Sequence, residues 1–191
     1  EAVFAHHAGL RVISPSTAHD AYWMIQDAIR SDDPVMFFEP KRRYWMKGDV
    51  DTDARGAQTH SAQIVRPGTD LTLVSYGPLV PTAMDVAQAK AEEGANVEVI
   101  DLRSLSPIDF DTVEESVKRT GRLVVAHEAP VFLGLGAELA ARITERSFFH
   151  LEAPVLRVGG FHTPYPPSKL EEHYLPDLDR ILDAVDRSLA Y

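Results

Sequence analysis

The sequence predicts an α/β protein with a mostly parallel, twisted sheet and helices on both faces of that sheet. Of its 191 residues, 45% are hydrophobic and 25% are charged, which is enough apolar material for a packed core. From residue 70 onward, short apolar runs alternate with segments of helical periodicity. Such alternation is typical of parallel strands that are joined by crossover helices.

The first 45 residues predict a strand, a helix and a second strand. LRVISP (10–15) predicts a short strand, and Ser16 is the expected N-cap of the helix that follows. PVMFFEP (34–40) is an apolar run between two prolines, which is typical of a strand covered on both faces. Residues 41–66 lose this periodicity and gather charged and small polar side chains, so we place a connection there.

The remaining strands and helices follow in regular order. The predicted strands are LTLVSYG, VEVIDL, RLVVAHE and VLRVGG, and the predicted helices span about 80–93, 111–120, 136–146 and 178–189. Asp111 and Glu114 match a capping box, and Gly121 is expected to end the same helix. We therefore predict a partial domain over residues 1–45, a linker over 46–66 and a second domain over 67–191.

Composition and motifs exclude several functions. A formal net charge of −10 disfavours a nucleic-acid partner, which requires a basic surface. No apolar run approaches the roughly 20 residues of a membrane span, and no signal peptide is evident, so the default location is the cytoplasm. The chain has no cysteine, its histidines lack the spacing of a zinc helix, and GLGAE (134–138) does not extend to a nucleotide-binding fingerprint.

The segment GRLVVAHEAP (121–130) contains the most suggestive polar pair. His127 and Glu128 stand where a predicted strand ends, a position at which catalytic groups occur in open α/β sheets. They are either an acid/base pair or members of a buried polar network. The residues alone leave both alternatives open.

Four segments resemble the β subunit of the E1 component of 2-oxo acid dehydrogenase complexes, which are thiamine-diphosphate-dependent decarboxylases. They are FAHHAGLRVISPSTAHDAYWMIQDAIRSDDPVMFFEPKRRYW, VIDLRSLSPIDFDTV, TGRLVVAHEAP and LEAPVLRVGGFHTPYP. The resemblance covers the whole chain in unbroken order. Within it, FFEPKRRYW resembles the branched-chain enzymes more than the pyruvate enzymes, which remain the alternative. A non-catalytic module for docking or dimerisation is the alternative of a different class.

This resemblance implies the last part of a pyrimidine-binding domain followed by a transketolase C-terminal domain, within an α₂β₂ assembly. In the family, a glutamate that protonates the cofactor and a histidine near the substrate both precede the FAH segment. The α subunit holds most of the diphosphate and Mg²⁺. We therefore expect no catalytic or cofactor-binding residue in this chain, and we expect His127 and Glu128 to serve a buried network or a subunit interface.

The resemblance also implies two binding sites. A structural K⁺ would be held at Ala28, Ile29, Ser31 and Asp33, although Ser31 and Asp33 replace the usual Asp and Asn, and SDDP could simply end the helix. Glu152 and the terminal carboxylate of Tyr191 would dock the basic peripheral-subunit-binding domain of E2, although a solvated loop carboxylate is the alternative for Glu152. The expected partners are thus the E1 α subunit, a second β subunit and E2. His162 stands where the family often has Asp.

Overall fold

A computed structural model describes residues 1–56 and 58–191 and confirms the α/β class. In chain order the elements are α1 (Ala2–Ala5), β1 (Arg11–Ile13), α2 (Ala18–Arg30), β2 (Val35–Phe37), β3 (Gln63–Arg66), β4 (Leu71–Ser75), α3 (Val80–Glu92), β5 (Val97–Asp101), β6 (Ser104–Ser106), α4 (Phe110–Thr120), β7 (Leu123–Pro130), α5 (Leu135–Ser147), β8 (Leu156–Gly160), α6 (Glu171–Tyr174) and α7 (Leu178–Leu189). Ala57, which belongs to the predicted linker, lies outside the described residues. None of the helices in these two ranges is long and apolar enough to span a bilayer.

The main sheet has five strands in the order β3-β5-β4-β7-β8. Strand β4 is parallel to β5 and β7, and β7 is parallel to β8, as the alternation of strands and helices predicts. Strand β3 pairs antiparallel with β5 at one edge, so part of the predicted linker 46–66 belongs to this sheet. The proposed domain boundaries themselves stay a prediction.

Helices cover both faces of the main sheet. Side chains of successive strand residues point to opposite faces, so Leu73 and Val74 enter different cores. Leu73 packs in a core with α3 and α7, whereas Val74 packs in a core with α4 and α5. Every residue of β4 and β5 is buried as a result.

A second, three-stranded sheet has the order β2-β1-β6. Strand β1 is parallel to β2 and antiparallel to β6, with Val12 opposite Ser106. The sequence pattern did not predict β6, which is only three residues long. Because β6 comes from the second region of the chain, main-chain hydrogen bonds attach residues 1–45 to that region.

Two predicted helix caps are wrong by one or two positions. The cap of α2 is Thr17, whose Oγ1 accepts from the Asp20 amide at 3.0 Å, while the Ser16 hydroxyl donates to Asp101 at 2.5 Å. The cap of α4 is Asp109, which accepts from the Thr112 amide at 3.1 Å. Strand β2 is only partly buried, not covered on both faces.

Candidate functional site

His127 lies in β7 beside the start of α5, with no exposed surface. Its Nδ1 is 2.9 Å from the Ala129 carbonyl oxygen, and its Nε2 accepts from the Gly136 amide at 3.3 Å. The carbonyl requires a donor and the amide requires an acceptor, so the ring is neutral and carries its proton on Nδ1. Burial lowers the pKa of His127, which also favours the neutral ring. Both ring nitrogens are thus engaged with the main chain.

The glycines of the GLG turn make room for this imidazole. A Cβ atom at Gly134 would lie 2.7 Å from the His127 Cε1, and one at Gly136 would lie 2.8 Å from the Nε2. Contacts this short do not occur for ordinary side chains. The GLGAE segment therefore serves the packing of His127, and its glycines need no bound phosphate to explain them.

Glu128 points away from His127 and forms an ion pair with Arg42. Burial raises the pKa of the Glu128 carboxyl, and the positive charge of Arg42 opposes that shift. The neighbouring Arg43 donates to the Pro78 carbonyl oxygen through Nε at 3.1 Å and Nη2 at 2.7 Å. His127 and Glu128 thus have separate partners, and Glu128 helps to tie the first segment of the chain to the second.

A cavity of about 210 Å³ lies at this junction. Three carboxylates line it, those of Glu1, Glu39 and Glu128. Each has a partner within the chain, because the Tyr76 hydroxyl donates to Glu1 at 2.5 Å, the Tyr44 hydroxyl donates to Glu39 at 2.7 Å, and Arg42 pairs with Glu128. Within residues 1–56 and 58–191, no group of three or more His, Cys, Asp or Glu side chains is arranged to hold a metal ion.

A buried ionic network, which the sequence pattern did not predict, lies at the same junction. Arg103 is 2% exposed and has a φ of 57°, and its Nη2 lies 2.8 Å from the Asp20 carboxylate. Asp101 accepts from the Ser16 hydroxyl and from the Arg103 amide. Burial raises the pKa of Asp101 to about 7. The available signal was the charge of Asp101 and Arg103 inside the otherwise apolar VIDLRSL, since buried charges require partners.

The turn after α2 contains the residues of the predicted cation site. Asp33 accepts from Arg11 at 2.7 Å (Nε) and 2.6 Å (Nη2), so a side chain of the protein already balances its charge. The Ser31 hydroxyl accepts from the Asp33 amide at 3.1 Å, and the Ala28 carbonyl accepts from the Ser31 amide at 3.3 Å. Ile29 is 77% exposed. The cation stays a prediction.

Glu152 lies in the loop between α5 and β8, and its side chain is 61% exposed. Its Oε2 accepts from Arg122 Nη1 at 2.5 Å. The Nε of the same arginine donates to the Ser188 carbonyl oxygen at 3.1 Å, near the end of α7. Tyr191 is 72% exposed. Arg122, which no sequence motif indicated, therefore connects Glu152 to the last turn of α7.

The comparisons with known proteins agree with this fold. The family model for the transketolase C-terminal domain matches residues 60–181. The chain is 61% identical over 191 residues to a pyruvate dehydrogenase E1 component subunit beta of Leifsonia xyli subsp. xyli, covering 100% of this chain and 57% of that protein. It is 54% identical over 190 residues to a 3-methyl-2-oxobutanoate dehydrogenase subunit beta of Mycobacterium tuberculosis, covering 99% and 55%.

A solved structure gives the same result at the level of the fold. The protein described as a split gene transketolase, in an inactive beta4 tetramer, superimposes with a TM-score of 0.80 at 25% identity. The match covers 99% of this chain and 60% of that chain. The chain spans little more than half the length of the two E1 subunit relatives described above. Since the family model covers well over half of its residues, the chain belongs to the transketolase C-terminal domain family and is similar to the E1 β subunits of 2-oxo acid dehydrogenases.

Proposed function

We propose that this chain is part of the β subunit of a thiamine-diphosphate-dependent 2-oxo acid dehydrogenase E1. The observation that carries the proposal is the 61% identity along all 191 residues with a protein of that description. In the complete enzyme, thiamine diphosphate with Mg²⁺ supplies the chemistry of decarboxylation, and the acyl group then passes to the lipoyl group of E2.

The proposed role of this portion is assembly. We propose residues 1–45 as the end of a pyrimidine-binding domain, 46–66 as a linker and 67–191 as the transketolase C-terminal domain. Several large apolar side chains are highly exposed to solvent, among them Trp45 at 91%, Phe149 at 96% and Leu133 at 76%. Exposed apolar surface of this kind is typical of protein interfaces. It supports contacts with an α subunit and a second β subunit.

The proposed substrates are branched-chain 2-oxo acids, because FFEPKRRYW resembles that class. The relatives include both a pyruvate dehydrogenase subunit, at 61% identity, and a 3-methyl-2-oxobutanoate dehydrogenase subunit, at 54% identity. Pyruvate is therefore the second candidate substrate. The test compares kcat/KM for 2-oxoisovalerate and pyruvate, with the full-length β subunit assembled with its α partner. Branched-chain specificity predicts a preference of roughly tenfold or more for 2-oxoisovalerate, the scale on which apolar pockets discriminate. A preference for pyruvate would select the second candidate.

The proposal also predicts what the isolated chain does not do. Because the expected cofactor contacts lie upstream and on the α subunit, this chain alone should bind thiamine diphosphate weakly and should not decarboxylate 2-oxo acids. Isothermal titration with thiamine diphosphate checks the binding, and micromolar affinity for the isolated chain would contradict the proposal. If the assembled full-length protein bound E2 but never the cofactor, the docking-module alternative would replace it.

We further propose that Glu152 and the Tyr191 carboxylate dock the basic peripheral-subunit-binding domain of E2. The exposure of both residues supports this proposal. Changing Glu152→Ala, or adding residues after Tyr191, should weaken docking by about tenfold or more, roughly 1.4 kcal/mol. The affinity is measured at low salt on the α₂β₂ protein, with thermal unfolding as the check that folding is unchanged. Unaltered affinity in both variants would locate docking elsewhere.

A further inference from the structure

Arg122 joins two surface segments that are distant in sequence. Its Nη1 bonds to the Glu152 carboxylate at 2.5 Å, and its Nε donates to the Ser188 carbonyl oxygen at 3.1 Å. The side chain of Arg122 is only 18% exposed, while that of Glu152 is 61% exposed. A largely buried guanidinium therefore holds an exposed carboxylate.

The main chain beside Arg122 positions the same glutamate. The Glu152 amide donates to the Gly121 carbonyl oxygen at 2.8 Å. Gly121 has a φ of 69°, and a Cβ atom on it would lie 2.9 Å from the Glu152 Cγ and Cδ. The close approach requires glycine, so the pair Gly121 and Arg122 fixes both the backbone and the side chain of Glu152.

The second contact of Arg122 acts on the end of α7. The last four carbonyl groups of a helix have no partner within the helix, and Ser188 carries one of them because α7 ends at Leu189. A positive charge at this end also compensates the helix dipole. Arg122 therefore stabilises the last turn, three residues before Tyr191.

We infer that Arg122 is a positioning residue that holds Glu152 and the last turn of α7 in place for docking of the basic E2 domain. This inference rests on the docking role proposed above. Arg122 engages one oxygen of an exposed carboxylate, which leaves Glu152 accessible to a second cation. With the carboxylate and the last turn of α7 already ordered, the partner does not have to order them on binding.

The direction in which Arg122→Gln changes the affinity for E2 distinguishes a positioning role from a purely electrostatic one. Arg122→Gln removes a positive charge beside Glu152, so charge alone predicts tighter binding of a basic partner. Positioning predicts weaker binding instead, by roughly three- to tenfold, the range expected when additional side chains must be ordered. Arg187→Gln is the matched control, because it removes the same charge from α7, where Arg187 is exposed and forms an ion pair with Asp183 of its own helix. It should tighten binding slightly or leave it unchanged.

The experiment measures affinity for the E2 binding domain at low salt, using the full-length α₂β₂ protein. Arg122→Lys keeps the charge near Glu152 and should restore part of the affinity. In the Glu152→Ala background, Arg122→Gln should have a clearly smaller effect, since part of its action passes through Glu152. An Arg122→Gln protein that binds as tightly as the parent or more tightly would overturn the inference, and so would full additivity with Glu152→Ala.

Hydrogen exchange distinguishes failure of this inference from failure of the docking proposal. In Arg122→Gln, the amides of the Glu152 loop and of the last turn of α7 should both exchange faster, with or without E2. If Glu152→Ala leaves E2 affinity unchanged, the docking proposal fails, and the inference fails with it as a statement about E2. Faster exchange at both segments would then show that Arg122 orders the Glu152 loop and the last turn of α7 without a role in E2 binding. Unchanged exchange at either segment would overturn the coupling itself.

Discussion

At the scale of the residue, two main-chain groups, the Ala129 carbonyl and the Gly136 amide, contact the two nitrogens of the His127 ring. The position of His127 after an apolar run suggested either catalysis or a buried network, and its two main-chain contacts are those of a buried structural group. These contacts could not be predicted from the sequence, because Gly136 approaches His127 only when β7 and α5 have packed. Arg122 was missed for the same reason, since both of its partners are distant in sequence.

His127→Ala should lower the free energy of unfolding by about 2–4 kcal/mol. The change leaves the buried Gly136 amide and the partly buried Ala129 carbonyl without partners. An unsatisfied buried polar group costs roughly 1–3 kcal/mol, and water that enters the site offsets part of that cost. Urea unfolding of the chain measures the effect, and His173→Ala is the control because His173 is exposed. A loss below about 0.5 kcal/mol would show that the two contacts contribute little to stability.

Asp101→Asn should make stability less dependent on pH. The pKa of Asp101 in the folded protein is raised to about 7, mainly by burial, with a contribution from the nearby Asp20 carboxylate, while Ser16 and Arg103 oppose the shift. The folded state therefore holds this proton more tightly than the unfolded state does. The stability that results is fully present below about pH 4 and is lost as pH rises through about 7.

The measurement compares urea unfolding of parent and variant at pH 5 and pH 8. The stability of Asp101→Asn relative to the parent should rise by roughly 2.5–3 kcal/mol between these pH values, since one pKa unit corresponds to about 1.4 kcal/mol. The opposite slope expected from the lowered pKa of His127 is common to both proteins and cancels. Asp32→Asn, at an exposed site, serves as the control. Parallel pH profiles would mean that Asp101 does not retain its proton near neutrality.

At the scale of the element, periodicity predicted the long helices and the parallel strands of the main sheet, whereas caps and the short strands β3 and β6 required tertiary information. Ser16 and Thr17 are equally good caps by residue type, and the buried Asp101 decides between them by taking the Ser16 hydroxyl. Strand β6 was missed because three residues carry no measurable alternation, and it is defined by its pairing with β1. The local sequence pattern is thus sufficient to predict an element that is long enough to bury one face.

The turn that follows α2 should be insensitive to the identity of the monovalent cation. Arg11 already balances the charge of Asp33, so a bound K⁺ would gain little from this carboxylate. We expect the same melting temperature in KCl and NaCl at matched ionic strength. A selectively higher melting temperature in KCl would show specific binding to the folded state and would support the cation that the sequence predicts.

At the scale of the whole molecule, the second region carries most of the fold, and the first is attached to it at several places. These include the β1–β6 pairing, the buried Arg103–Asp20 ion pair and the Arg42–Glu128 ion pair. The parallel sheet and its helices could be predicted from the sequence alone. The attachments could not, because each joins residues that are far apart in the chain and become neighbours only in the folded state.

A fragment covering residues 60–191 should unfold cooperatively and at a higher temperature than one covering 67–191. The longer fragment retains β3, which pairs with β5 and protects the edge of the main sheet, and it begins where the family match begins. Calorimetry of the two fragments at equal concentration makes the comparison. Equal melting temperatures would place β3 outside the folding unit, and a broad transition in both would show that the second region needs the first.

The pairing of β1 with β6 also has a consequence for the order of events during synthesis. Val12 emerges from the ribosome long before Ser106, its neighbour in the sheet. Translation proceeds at about 5–20 residues per second, so several seconds pass between the synthesis of β1 and that of β6, which completes the sheet. Contacts of such high sequence separation form late and slow the folding of a domain. During that interval the apolar residues of β1 are uncovered, and a nascent chain held at this stage is the state in which binding by a chaperone has the greatest effect.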